Sequence, residues 1–157
     1  MRSDAPAVTE ILFYHLQRQP LEKVLPSLLE KSLARGWRVV VQAASEERVE
    51  ALDAHLWTYR EDAFLPHGTD REPESASQPV LLTTRDDNPN GAQVRFLVDG
   101  VAVPADAASY QRIVLLFDGE DADAVAAARA RWSEAKAQGV ATTYWQADEQ
   151  GRWQRKA

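Results

Sequence analysis

The sequence contains no cysteine, which excludes disulfides, thiolate nucleophiles and cysteine metal sites. It has no stretch approaching the ~20 consecutive apolar residues that cross a bilayer, so no membrane association is expected. The N-terminus, MRSDAPAV, lacks the apolar run of a signal peptide, and with the missing cysteines this makes a cytoplasmic protein the expectation. Basic residues are in the minority: 18 Lys and Arg stand against 24 Asp and Glu, for a formal net charge of −6. Nucleic-acid affinity draws on many cation–phosphate contacts, so little direct nucleic-acid binding is expected and any basic site must be local. Partner proteins or small molecules are the better fit.

Signatures of catalysis are also missing. No G-x-G-x-x-G follows the first strand-like segment, and neither G-x-x-x-x-G-K-[ST] nor G-x-S-x-G occurs. His15, His55 and His67 are scattered without metal-ligand spacing and read as structural or surface histidines. One group of carboxylates remains, Asp118, Glu120 and Asp121 in FDGEDAD. Carboxylates at a strand's C-terminal end can hold Mg²⁺, as a small nucleotide- or phosphate-handling α/β enzyme would require. The plainer account is a Gly turn followed by acids that favour the positive end of the next helix dipole. No cofactor or metal is expected.

What is present is an alternation of strands and helices. VTEILFYHL, from about Val8 to Leu16, is β-branched and aromatic like a strand. PLEKVLPSLLEKSLARG repeats leucine at helical intervals and stops at Gly36; Pro26 inside it predicts a kink, or a helix proper that begins there. WRVVVQAA reads as a buried strand, and Ser45 caps EERVEALDAHLW, whose leading glutamates suit a helix N-terminus. A polar linker, GTDREPESASQP, leads to two strands, VLLTT and VRFLVDG, joined through the Asn90-Gly91 turn signal. QRIVLLFDG is the most apolar strand, and EDADAVAAARARWSEAKAQG is an alanine-rich helix ending at Gly139. A terminal strand, a turn at Glu149–Gly151 and a short return strand complete a C-terminal strand or hairpin within 140–155. This order predicts one α/β domain spanning 1–157, with loops near 69–79 and 85–93 and a central mixed sheet flanked by helices.

The connection after the second helix is unusual. Trp57, Tyr59, Phe64, Leu65 and Pro66 crowd together beside Arg60, Glu61 and Asp62, whereas surface connections are normally polar. Either Trp57 and Phe64 close the bottom of the core, or they face a partner protein.

Several stretches together resemble the chi subunit of bacterial DNA polymerase III holoenzyme: ILFYHL, LLEKSLARGWRVVV, LDAHLW followed by FLPHG, VLLFDGED, and ARARWSEAKAQGVATTYWQ. The resemblance runs in order along nearly the whole chain. It implies a fold like that of nucleotide-binding α/β proteins without the phosphate loop. It also implies a non-catalytic accessory protein of the clamp-loader complex with two partners: the psi subunit, and the acidic C-terminal tail of single-stranded-DNA-binding protein. The psi-facing region falls on Trp57 and Phe64, with Leu65, Pro66 and His67 as flank.

The tail site falls on the last long helix. Arg129, Trp132 and Lys136 lie within roughly 60° of one another at helical spacing. Two cations flanking an aromatic suit an acidic peptide with an apolar end, although a core-facing Trp with snorkelling neighbours has the same spacing. Arg129 and Trp132 match positions that the family uses. Ser133 departs from the family's frequent Lys, for which Lys136 or Arg131 is a substitute, and Phe117 and Val140 are candidate apolar walls.

Overall fold

A computed structural model describes residues 9–61 and 64–157. Val8 of the expected first strand and Asp62 of the charged rim lie outside the described residues. The elements in chain order are β1 (Glu10–Leu16), α1 (Leu21–Ala34), β2 (Val39–Gln42), α2 (Glu46–Thr58), β3 (Gly68–Thr69), β4 (Val80–Thr83), β5 (Val94–Leu97), β6 (Arg112–Asp118), α3 (Ala122–Ala137), β7 (Ala141–Ala147) and β8 (Trp153–Arg155). They form a sheet in the order β3-β4-β2-β5-β6-β1-β7-β8. Every pairing is parallel except β7 with β8, so the sheet is mixed as expected.

Parallel neighbours need crossovers, and crossovers cover both faces. That explains why β2, β4 and β5 are buried at every position and read as continuous apolar runs. One core layer holds α1 and α2 against Val39, Val41, Val80, Leu82, Val94, Phe96, Val114 and Leu116. The opposite layer holds α3 and the connection after β5 against Ile11, Phe13, Val40, Leu97, Ile113, Leu115 and Phe117.

Two expectations are corrected by this topology. β4 and β5 do not pair with each other, because β2 lies between them, parallel to both. The Asn90-Gly91 segment therefore belongs to a crossover. Asn90 is buried and clamps it, donating from Nδ2 to Val39 O at 3.1 Å and Gln78 O at 3.0 Å. The polar linker also opens on a strand, β3, whose two residues pair with β4; two residues are too few to show a periodicity.

Beneath the crossover, Arg95 is fully buried. Its guanidinium donates to Tyr110 Oη at 2.9 Å, Gln42 Oε1 at 2.7 Å, Arg85 O at 3.3 Å and Asp87 O. A buried cation is costly unless its donors are used. Here they pin the 85–93 segment to the sheet.

Helix α1 starts at Leu21 and runs through Pro26, so it does not begin at the proline. Proline removes the N–H that would otherwise bond to the Glu22 carbonyl one turn earlier. His55 of α2 replaces that donor, with Nε2 2.6 Å from Glu22 O. The same bond ties the two helices together. His55→Phe should therefore cost about 1–2 kcal/mol, the range for leaving a shielded carbonyl unpaired. In a Pro26→Ala background, where the substituted residue restores the helical donor, the loss should shrink by about half or more. Urea unfolding of the four variants in a double-mutant cycle measures this coupling.

Candidate docking sites

The end of α2 and the described residues of the connection after it divide between surface and core. Trp57 remains 52% exposed and Phe64 74% exposed, the two large hydrophobics so exposed among the described residues. Leu65 and His67 instead turn inward and are buried, with Pro66 between them only partly covered. Tyr59 packs partly against the α1–α2 core, and its hydroxyl donates to Glu30. Arg60 also reaches Glu30, at 3.7 Å. These inward anchors are what hold the two aromatics outward.

His67 is the pivot. Its Nδ1 donates to Leu65 O at 2.6 Å, its Nε2 lies 3.1 Å from the Asp53 carboxylate, and its ring lies 4.5 Å from that of Trp57. Trp57 and Phe64 lie 6.1 Å apart at 45°. Of the five residues expected on this surface, Trp57 and Phe64 present it, Pro66 borders it, and Leu65 and His67 support it from behind.

The second site lies in the opposite layer. Arg129 is exposed on α3, with no ion pair among the described residues. Trp132 is half-buried, 5.3 Å edge-on from Phe13 and 5.8 Å from Tyr144, and Lys136 Nζ lies 5.1 Å from its ring. The helical spacing thus gives both a core contact and a cationic rim. Phe117 is buried beneath, 5.1 Å from His15 and 6.0 Å from Tyr144. Ser133 is exposed and adds no charge. Arg131 turns to another flank and pairs with Glu134 at 3.1 Å. Val140 lies on that flank too, in a cleft shared with Arg131, Glu134 and Ile11. Arg131 is thus engaged away from Arg129, while Val140 and Trp132 pack against the same core.

His15 and Tyr144 complete this second cluster and are not marked as site residues by the sequence. His15 Nδ1 lies 2.6 Å from Tyr144 Oη, while Nε2 is buried without a partner against Gly119. A Cβ at position 119 would come within 2.0 Å of that nitrogen, so only glycine fits. The parallel register sets Tyr144 opposite Phe13 on β1, beside His15, a proximity that no spacing along the chain reveals.

The carboxylates of FDGEDAD have local duties. Asp118 Oδ1 accepts from Glu120 N at 2.9 Å, and Asp121 caps α3 by accepting from Asp123 N at 3.0 Å and Ala124 N at 3.3 Å. A cleft of about 780 Å³ opens beside them, where the chain leaves β1 and β6 toward opposite faces. Open parallel sheets commonly bind ligands at such a point. Among the described residues, no group of three His, Cys, Asp or Glu could hold a metal ion, and no helix is long and apolar enough to cross a membrane.

Fold and surface together define an α/β sheet protein that presents aromatic side chains at the surface on both layers. The family model described as DNA polymerase III chi subunit, HolC, matches residues 8–143. A "Probable DNA polymerase III subunit chi" from Rickettsia prowazekii is 29% identical over 115 residues, covering 67% of each chain. A "DNA polymerase III subunit chi" from Pseudomonas aeruginosa is 38% identical over 55 residues, covering 35% of this chain and 37% of that protein. The chain belongs to the DNA polymerase III chi subunit family, an accessory subunit of the replicative polymerase.

Burial, followed by the nearby Arg129 charge, lowers the His15 pKa, with Asp118 opposing. The folded protein therefore binds this proton less readily than the unfolded chain. Stability attributable to His15 is complete above the unfolded value, about 6.5, and is lost as pH falls from there toward the folded value. His15→Gln should flatten that part of the stability–pH curve. Urea midpoints between pH 5 and 8 test it, and an unchanged slope would remove His15 as its source.

Proposed function

We propose that the chain is a non-catalytic adaptor of the clamp-loader complex. It docks the psi subunit through Trp57 and Phe64, and the acidic C-terminal tail of single-stranded-DNA-binding protein through Arg129, Trp132 and Lys136. It works in the cytoplasm during DNA replication and uses no cofactor. The observation that carries this reading is the exposure of Phe64 and Trp57 inside the family-matched span, each held outward by buried neighbours. An exposed aromatic pair, Trp57 near the end of α2 and Phe64 after it, suits a partner, since solvent gives no reason to display it. Support for the tail site comes from an arginine without an ion pair among the described residues and a lysine beside a half-buried tryptophan on an otherwise acidic chain.

Phe64→Ala should change stability by less than about 0.5 kcal/mol, as for surface positions. It should weaken association with psi or the clamp loader by about 2 kcal/mol or more, as for a central aromatic anchor. Melting curves and co-elution separate the two effects. Lost folding with unchanged binding per folded molecule would assign Phe64 to the core instead.

Arginine's planar fork suits carboxylates, whereas lysine offers a point charge. Arg129→Ala should therefore weaken binding of a fluorescent tail peptide by about tenfold to hundredfold, with Arg129→Lys recovering part. Added salt should weaken the parent more than the alanine variant. Parental binding by Arg129→Ala at both low and high salt would place the tail elsewhere.

A further inference from the structure

The α1–α2 layer thins toward the β1, β7 and β8 side of the sheet face it covers, where Tyr14 and Trp153 pack at its margin. Those helices pack most closely on β2, β3 and β4, while α1 borders Leu12 and Tyr14 of β1 across a groove. Register puts Tyr14, Trp145 and Arg155 side by side on that face, with Trp153 one step along. The Tyr14 and Trp145 rings are nearly parallel, 6.2 Å apart at 12°, and Trp153 meets Tyr14 edge-on at 4.9 Å. All three are only partly exposed.

A groove of about 370 Å³ runs between α1 and this face, with Leu12, Leu28 and Tyr14 on its apolar lining and Lys31, Arg35 and Arg112 among its walls. Lys31 and Arg35 are exposed, one helical turn apart, and neither has an acidic partner among the described residues. Arg35 rests 4.1 Å from the Trp37 ring. On the other wall Arg112 also faces Trp37, at 5.0 Å, and pairs with Glu10 at 2.6 Å. No acid lines the groove, although the chain as a whole carries a net charge of −6. The family model matches residues 8–143, so Trp145 and Trp153 lie outside the matched span.

We propose that this groove is a third docking site, for an internal acidic segment of a partner protein that inserts an aromatic or large aliphatic side chain between flanking carboxylates. Lys31 and Arg35, without an acidic partner among the described residues, stand beside an apolar notch and match carboxylates that flank an apolar residue. A single strand of nucleic acid fits less well. It needs free ring faces, whereas these rings are packed on one another, and its phosphates would extend over an acidic protein.

The test uses a fluorescein-labelled peptide, Asp-Asp-Phe-Asp-Asp, blocked at both ends so that it offers no terminal carboxylate to the Arg129 site. It should bind the full chain at low salt. The Lys31→Gln/Arg35→Gln double variant should weaken binding about tenfold at an unchanged melting temperature, as for lost charge-assisted contacts. Arg129→Ala should leave it unchanged. The site is overturned if the peptide fails to bind at millimolar concentration, or if its binding depends on Arg129 and ignores Lys31 and Arg35. It is overturned equally if a labelled oligothymidylate binds the groove in its place.

Discussion

Parallel pairing along β1 is the constraint from which the rest of the structure follows. β1 pairs along its length with β6 on one side and with β7 on the other, all three running the same way. Each parallel connection must return across a face of the sheet. α1 and α2 return on one face and α3 on the other, which separates the two sites. Trp57 ends α2 in the first layer, while Trp132 faces Tyr144 and Phe13 in the second. The proposed bridging role needs two surfaces that do not compete, and the topology keeps these two clusters apart before any side chain is chosen.

Within each layer, buried polar groups decide what is left outside. His67 is held inward by the Leu65 carbonyl and by the main-chain and carboxylate oxygens of Asp53, Leu65 is buried in the core, and Phe64 is left exposed. Arg95 holds the crossover on the α3 face, and His55 replaces the donor that Pro26 removes. These contacts cost desolvation and return specificity of placement.

Much of this is legible from residue order alone. The three helices, the long strands, the Ser45 cap and the glycine stops after α1 and α3 are local signals, written in periodicity and turn chemistry. The order of strands across the sheet is not local. VLLT and VRFL look like sequential partners until β2 is known to lie between them. A fully buried Arg95 also interrupts an apolar run that is otherwise plain. At the candidate sites, helical spacing brings Arg129, Trp132 and Lys136 onto one face. His15 and Tyr144 join that cluster only through strand register, and nothing in their own neighbourhoods marks them. Conversely, Leu65 and His67 look like surface because Phe64 beside them is; alternation within a short connection separates them.

The central claim is that one small sheet carries two independent partners on opposite layers. The most direct measurement is a ternary titration in which tail peptide is added to the chain alone and to the chain saturated with psi. The account predicts the same tail affinity in both and a complex containing all three components. Competition between psi and the tail for one surface would contradict it.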